Sequence, residues 1–295
     1  MFYQSEPLRE SQEQREHALI VLTPAESKRL IAKAVAALPE VKRALKKGMV
    51  IIANGTTTAF VAEEILGISI EPKVNYALGL ISEGELNTNA SENKLRPYVL
   101  RDGKPVDMAL PEALQEFTAD DVFIKGANAV DVQGNAGILA VNLAGGTIGN
   151  AWPIVMARGS HLIVPVGLEK LIPSVIEASQ ACSIFRFKYS TGVPATLIPL
   201  VAAKVVTEIQ AFQMLGKVKA THVASGGVGG AEGSVVLSLE GKPEDLEQAF
   251  ELVKSIKGEP PVPKPDVTLT PPAAELNYEA ARILSHLQAS RRAQA

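Results

Sequence analysis

One cysteine in 295 residues, Cys182, has no second cysteine to pair with inside the chain. That excludes a disulfide framework and a cysteine-rich zinc site. The four histidines, His17, His161, His222 and His286, lack the short spacings of metal ligands. No metal and no cofactor is therefore expected. An excess of positive charge is also missing. Against 29 basic residues stand 32 acidic ones, a net charge of −3, which excludes a generally basic protein that coats nucleic acid. Long apolar runs are absent. The least charged stretch, Val132–Ala157, is broken by five glycines, three asparagines and Pro153, and a membrane helix needs about 20 predominantly apolar residues. The opening residues are charged and carry no apolar core of a secretory signal. The expectation is a soluble, cytoplasmic protein with neither nucleic acid nor membrane as partner. Three catalytic or phosphate signatures are missing too: the Walker loop, the spaced glycines of a dinucleotide fingerprint, and the Gly-x-Ser-x-Gly elbow.

What is present is an ordinary globular composition, 46% hydrophobic and 21% charged, long enough for one large domain or two modest ones. Residues 1–17 read as a polar arm. Thr23-Pro24-Ala25-Glu26 then opens a helix with a capping box and a proline in the first turn. A short helix over 39–47 precedes Met49–Ala53, a buried strand. Asn54-Gly55 breaks that strand before a helix that ends at Gly67. Further buried strands are expected at 74–80, 122–125 and 161–164. A hairpin is expected about Asp102-Gly103, a helix over 151–157 with Pro153 in its first turn, and another over 169–181. The stretch 205–215 fits strand or helix. Beyond it come a strand over 217–225, a glycine loop over 226–230, a strand over 234–239, a helix over 243–257, a proline-rich strap and a terminal helix over 277–289. Strands alternating with helices predict an α/β fold, a mostly parallel open sheet with helices on both faces, followed by a small α+β unit. The expected units are 18–200, 201–258 and 259–295.

Three turns carry possible chemistry. Asn54-Gly55-Thr56-Thr57-Thr58 lies at the carboxyl end of a parallel strand, where open α/β sheets bind ligands. The following helix offers free N–H groups and partial positive charge to an anion; the alternative is a helix cap with spare threonines. Lys125-Gly126-Ala127-Asn128-Ala129-Val130-Asp131 also follows a strand. There a desolvated Lys125 could serve as base or nucleophile and Asp131 as general base, or the lysine sits at an edge and the Asp and Asn serve a turn. Gly145-Gly146-Thr147 forms a second backbone-rich cradle for an anion, or a place where backbone packs closely on the sheet. Glu83, in Ser82-Glu83-Gly84, enters the same cleft or belongs to an exposed acidic turn. Glu169 and Lys170, after the strand at 161–164, face a ligand or merely begin a helix.

The strand–Gly55-Thr56-Thr57-Thr58–helix unit, with Lys125-Gly126-Ala127-Asn128-Ala129-Val130-Asp131 and Gly134-Asn135 behind it, resembles a superfamily over about residues 20–200. It groups ribose-5-phosphate isomerases, glucosamine-6-phosphate deaminases, CoA transferases, sugar-responsive regulator domains and lactate-utilisation domains. The resemblance implies phosphate binding at Gly55, Thr56, Thr57 and Thr58, and a sugar or catalytic neighbourhood at Gly126, Asn128 and Asp131. Where the isomerases carry an acid, this chain has Asn128. Ser82-Glu83-Gly84 echoes part of the CoA-transferase glutamate turn.

The function expected is binding of a small anionic metabolite, a phosphorylated sugar or organic acid. Catalysis, if any, would be isomerase-like proton transfer beside a carbonyl. The alternatives are a metabolite sensor without turnover, and acyl transfer through Glu83. A homo-oligomer stays open.

Overall fold

Residues 1–4, 15–89, 91–266 and 268–269 are described in the computed structural model of the chain. The first strand, β1 (Glu16–Leu22), buries Ile20 and Leu22 and turns Leu19 and Val21 outward. This is the alternation of a half-buried strand, and its first two residues fall within the stretch 1–17 read from the sequence as a polar arm. Helix α1 (Pro24–Ala37) begins as its residues dictate. Thr23 Oγ1 accepts the Glu26 N–H at 3.4 Å, and the Glu26 carboxylate accepts the Thr23 N–H at 2.9 Å. Next come α2 (Pro39–Lys46), the fully buried β2 (Met49–Ile52) and α3 (Thr56–Leu66).

The strand expected over 74–80 does not form. Lys73–Tyr76 is a 3-10 turn, and β3 (Gly79–Ser82) starts later and pairs with β4 (Glu85–Asn89). The reason is Tyr76. Its hydroxyl donates to the Ile52 carbonyl and accepts the Tyr98 N–H, and its own carbonyl accepts the Gly55 N–H. Its groups are spent on the end of β2 rather than on a ladder. The hairpin of β5 (Tyr98–Arg101) and β6 (Lys104–Val106) turns at Asp102 and Gly103, both at positive φ, as a two-residue turn of this hand requires.

Helix α4 (Leu110–Glu116) and β7 (Val122–Ile124) follow. Two strands with no clear sequence signal then pair, β8 (Ala129–Val130) and β9 (Ala136–Ala140). Helix α5 (Gly146–Arg158) starts five residues before the expected 151, so Pro153 lies inside it rather than in its first turn. Proline there removes one rung, to the carbonyl of Gly149 in the first turn, and the rest of the helix holds. After β10 (His161–Pro165), the helix expected from 169 is delayed. Leu168–Lys170 is a 3-10 turn, the chain runs extended past Pro173, and α6 (Val175–Ala181) is capped by Ser174. Proline disfavours helical backbone in the residue before it.

Strand β11 (Thr196–Leu200) pairs with β9. The ambiguous 205–215 stretch is both: β12 (Lys204–Val206), then α7 (Glu208–Gly216) capped by Thr207. The chain continues through β13 (Lys219–Gly226), β14 (Ser234–Gly241), α8 (Pro243–Ile256) and β15 (Thr268–Leu269), which pairs with β4. The terminal helix expected over 277–289 lies outside the described residues.

The central sheet has the order β12-β10-β7-β2-β5-β6. The first four strands are parallel, and β5 and β6 run against them. Alternate residues feed opposite faces. Val50, Ile52, Val122 and Ile124 join a core with Leu30 of α1 and Phe60 of α3, whereas Ile51 and Phe123 pack with Leu114 of α4 and Val155 of α5. The fold is thus α/β with helices on both faces. The C-terminal sheet has the order β1-β14-β13. Its Val235, Leu237 and Leu239 share the core that holds Leu30 and Phe60. The boundary drawn at 200 therefore falls just before β12, a member of the central sheet, and the C-terminal unit takes β1 from the other end of the chain.

Candidate functional site

Strands β2, β7 and β10 lie side by side and parallel, so the turns after them meet at one edge of the sheet. That edge opens into a hollow of about 210 Å³. Its lining includes Asn54, Gly55, Thr56 and Thr57 from the first turn, Lys125, Gly126 and Asn128 from the second, and Lys170 from the third. The opposite wall is β9 and the turn into α5, with Ile138, Leu139, Asn142, Gly145, Gly146 and Thr147. The three turns singled out in the sequence thus face one space.

Two helices point their starts into it. The residue before each is glycine, Gly55 for α3 and Gly145 for α5, which carries no capping side chain; at α5 the Asn142 Oδ1 accepts the first N–H, of Gly146, at 3.4 Å. The early N–H groups of a helix have no acceptor within the helix, and those of α3 meet no side-chain cap. Gly145 and Gly146 both have positive φ, +78° and +61°, a backbone that glycine adopts without strain. Thr58, expected to bind the anion, is buried instead. Its hydroxyl donates to the Gly55 carbonyl at 3.1 Å, so it braces the turn from behind.

Lys125 Nζ donates to the Asn54 carbonyl at 2.8 Å, at the head of α3. A Cβ on Gly55 would lie 4.0 Å from it. Lys170 Nζ donates to the Ala127 carbonyl at 3.1 Å, with the Glu169 carboxylate at 3.8 Å. Burial, then the charge of Lys170, brings the Lys125 amine down to about 8. Burial also brings Lys170 down to about 8, against the pull of Glu169. Among the described residues no Asp or Glu lines the hollow. Asn128 Oδ1 accepts the Leu139 N–H at 3.0 Å. That bond decides which end of the amide is oxygen and directs Nδ2 away from β9.

Asp131 does not join this group. Its carboxylate accepts N–H groups from Gln133, Asn135 and Val175 and the side-chain amide of Asn135, at 2.9–3.1 Å. Burial pushes the carboxyl upward, but these bonds outweigh it and hold it below the usual range. It ties the β8–β9 turn to the start of α6 and is absent from the lining. Glu83 does not line this hollow; it is exposed at positive φ, paired with Lys264 at 2.7 Å, and borders a neighbouring hollow that Thr56 also lines. Lys170 carried only an open reading in the sequence, and the wall from Ile138 to Asn142 carried none. Lys170 follows β10, the next parallel neighbour of β7, so sheet order would have pointed to it.

Among the described residues no cluster of three His, Cys, Asp or Glu stands ready to hold a metal ion, and no helix is long and apolar enough to cross a membrane. Compared with known proteins, the chain matches no family model, no curated protein and no solved structure.

Proposed function

We propose that this cleft binds a small metabolite through a phosphate or carboxylate group. The observation that carries the reading is the convergence of two lysines and the glycine-led starts of α3 and α5 on one hollow with no acidic side chain in its lining among the described residues. Each element alone favours an anion modestly; together, and out of bulk water, their fields reinforce one another. The apolar side of the hollow, Leu78, Ile138, Leu139 and Ile148, suits the carbon skeleton of a sugar phosphate or a short organic acid. The likeness to phosphosugar-binding and CoA-transferase proteins is consistent with this and is part of the proposal.

If the cleft is catalytic, Lys125 moves the proton beside the carbonyl, since Asp131 is bound up in N–H bonds outside it. A sensor that binds without turnover is the second reading, favoured by the lack of any carboxylate in the lining. Replacing Thr56 and Thr57 by valine removes two hydroxyl donors and keeps the side-chain shape. A panel of sugar phosphates, short phospho- and keto-acids and inorganic phosphate should raise the melting temperature of the native chain and leave that of the double variant unmoved. Equal shifts in both proteins would refute the reading. Turnover of a panel member separates enzyme from sensor.

A further inference from the structure

We propose that Lys125 condenses with an aldehyde or ketone of the bound anion to form a Schiff base, an activity that rests on the anionic reading of the cleft. The geometry is that of an amine placed to attack and held by no counter-charge. Lys125 Nζ stands at the head of α3, beside the turn where the anionic group of the ligand would sit. Its hydrogen-bond partner is a main-chain carbonyl, and among the described residues no carboxylate pairs with it. Lys170 adds a second positive charge in the same lining. Burial, a neighbouring cation and the positive end of a helix each favour the neutral amine, the form that acts as nucleophile. The lowered amine value of about 8 agrees with this. Lys170 has Glu169 near it and is the weaker nucleophile of the two.

The step balances without an oxidant or reductant. The Lys125 nitrogen forms a bond to the carbonyl carbon. The carbonyl oxygen then leaves as water, taking both hydrogens of the amine. The imine takes one proton from solvent to become a cation beside the bound anion. A carbonyl compound with a phosphate or carboxylate a few bonds away fits both halves of the site.

The test uses pyridoxal 5′-phosphate, a phosphorylated aldehyde, followed by borohydride to fix any imine, then peptide mapping by mass spectrometry. The full chain should carry its dominant adduct on Lys125, and excess inorganic phosphate should suppress it. Unphosphorylated pyridoxal should label Lys125 less. Lys125→Arg should lose the adduct, whereas Lys254→Arg, at an exposed position of α8 outside the hollow, should keep the adduct on Lys125 and the stabilisation by inorganic phosphate. Labelling on Lys170, or spread over surface lysines, with phosphate still stabilising the protein would overturn the Schiff base and leave anion binding intact. Equal labelling of Lys125 by both aldehydes, with no effect of phosphate on labelling or melting, would overturn the anionic reading and with it the substrate class.

Discussion

At the scale of single residues, a buried group's bonding partners separate candidates for ligand chemistry from groups that hold the fold. Asp131 and Lys125 were equal candidates in the sequence, six positions apart. Asp131 is deep and fully bonded, so its charge is neutralised by the backbone. Lys125 is half-buried, and its one hydrogen-bond partner among the described residues is a main-chain carbonyl, so the proposal rests on it. Which of two polar residues finds N–H donors depends on the β8–β9 turn, and spacing along the chain does not report that. A third titratable residue, Glu208 at the start of α7, is fully buried and accepts the Leu168 N–H at 3.0 Å. Burial lifts its carboxyl from 4.5 to about 7, and Glu169 nearby adds to the shift. The folded chain therefore keeps this proton up to about pH 7, while the unfolded chain releases it near 4.5. Between those values the folded state binds more protons, so stability falls as pH rises through the window. Glu208→Gln should remove that slope, gaining up to roughly 3 kcal/mol relative to the native chain by pH 7. Urea unfolding across the window measures it, and parallel pH profiles for the two proteins would contradict the assignment.

At the scale of elements, the site is made by turns that end parallel strands, and these were partly legible. The run Met49–Ile52 is apolar and β-branched, Asn54-Gly55 stops it, and three threonines open a helix; each local preference points to the structure found. The capping box at Thr23 was equally plain. The far wall was hidden because β8 has only two residues and the segment to Gly149 reads as loop chemistry. Tyr76 misled for a different reason, since its tertiary hydrogen bonds override a strand-like sequence. The Gly-Gly-Thr turn depends on a further glycine. A Cβ at Gly149 would stand 2.0 Å from the Ala144 carbonyl oxygen, so α5 and the loop before it approach closely because no side chain intervenes. Gly149→Ala should cost ~1–3 kcal/mol or more, displace Gly145–Thr147 and weaken phosphate binding. Urea unfolding and phosphate titration measure the two effects, and unchanged phosphate affinity would remove the α5 turn from the site.

At the scale of the whole molecule, the order of the central sheet brings two of the sequence signals together, and the packing of β9 and the α5 turn against that edge adds the third. The chain carries a net charge of −3, yet the cleft gathers two lysines and no acid, so the local field is opposite in sign to the total. Overall charge was no guide to the composition of the cleft. The α/β class was legible from the alternation of strands and helices. The capture of β1 by the C-terminal sheet was not, since the register Leu19↔Ser238 joins residues far apart along the chain.

The most direct measurement is the anomalous diffraction of crystals grown with tungstate, a heavy analogue of phosphate. One anion is predicted between the starts of α3 and α5, in reach of the Thr56 and Thr57 N–H groups and of Lys125 Nζ. Tungstate bound only elsewhere on the protein, with that hollow left to solvent, would contradict the account.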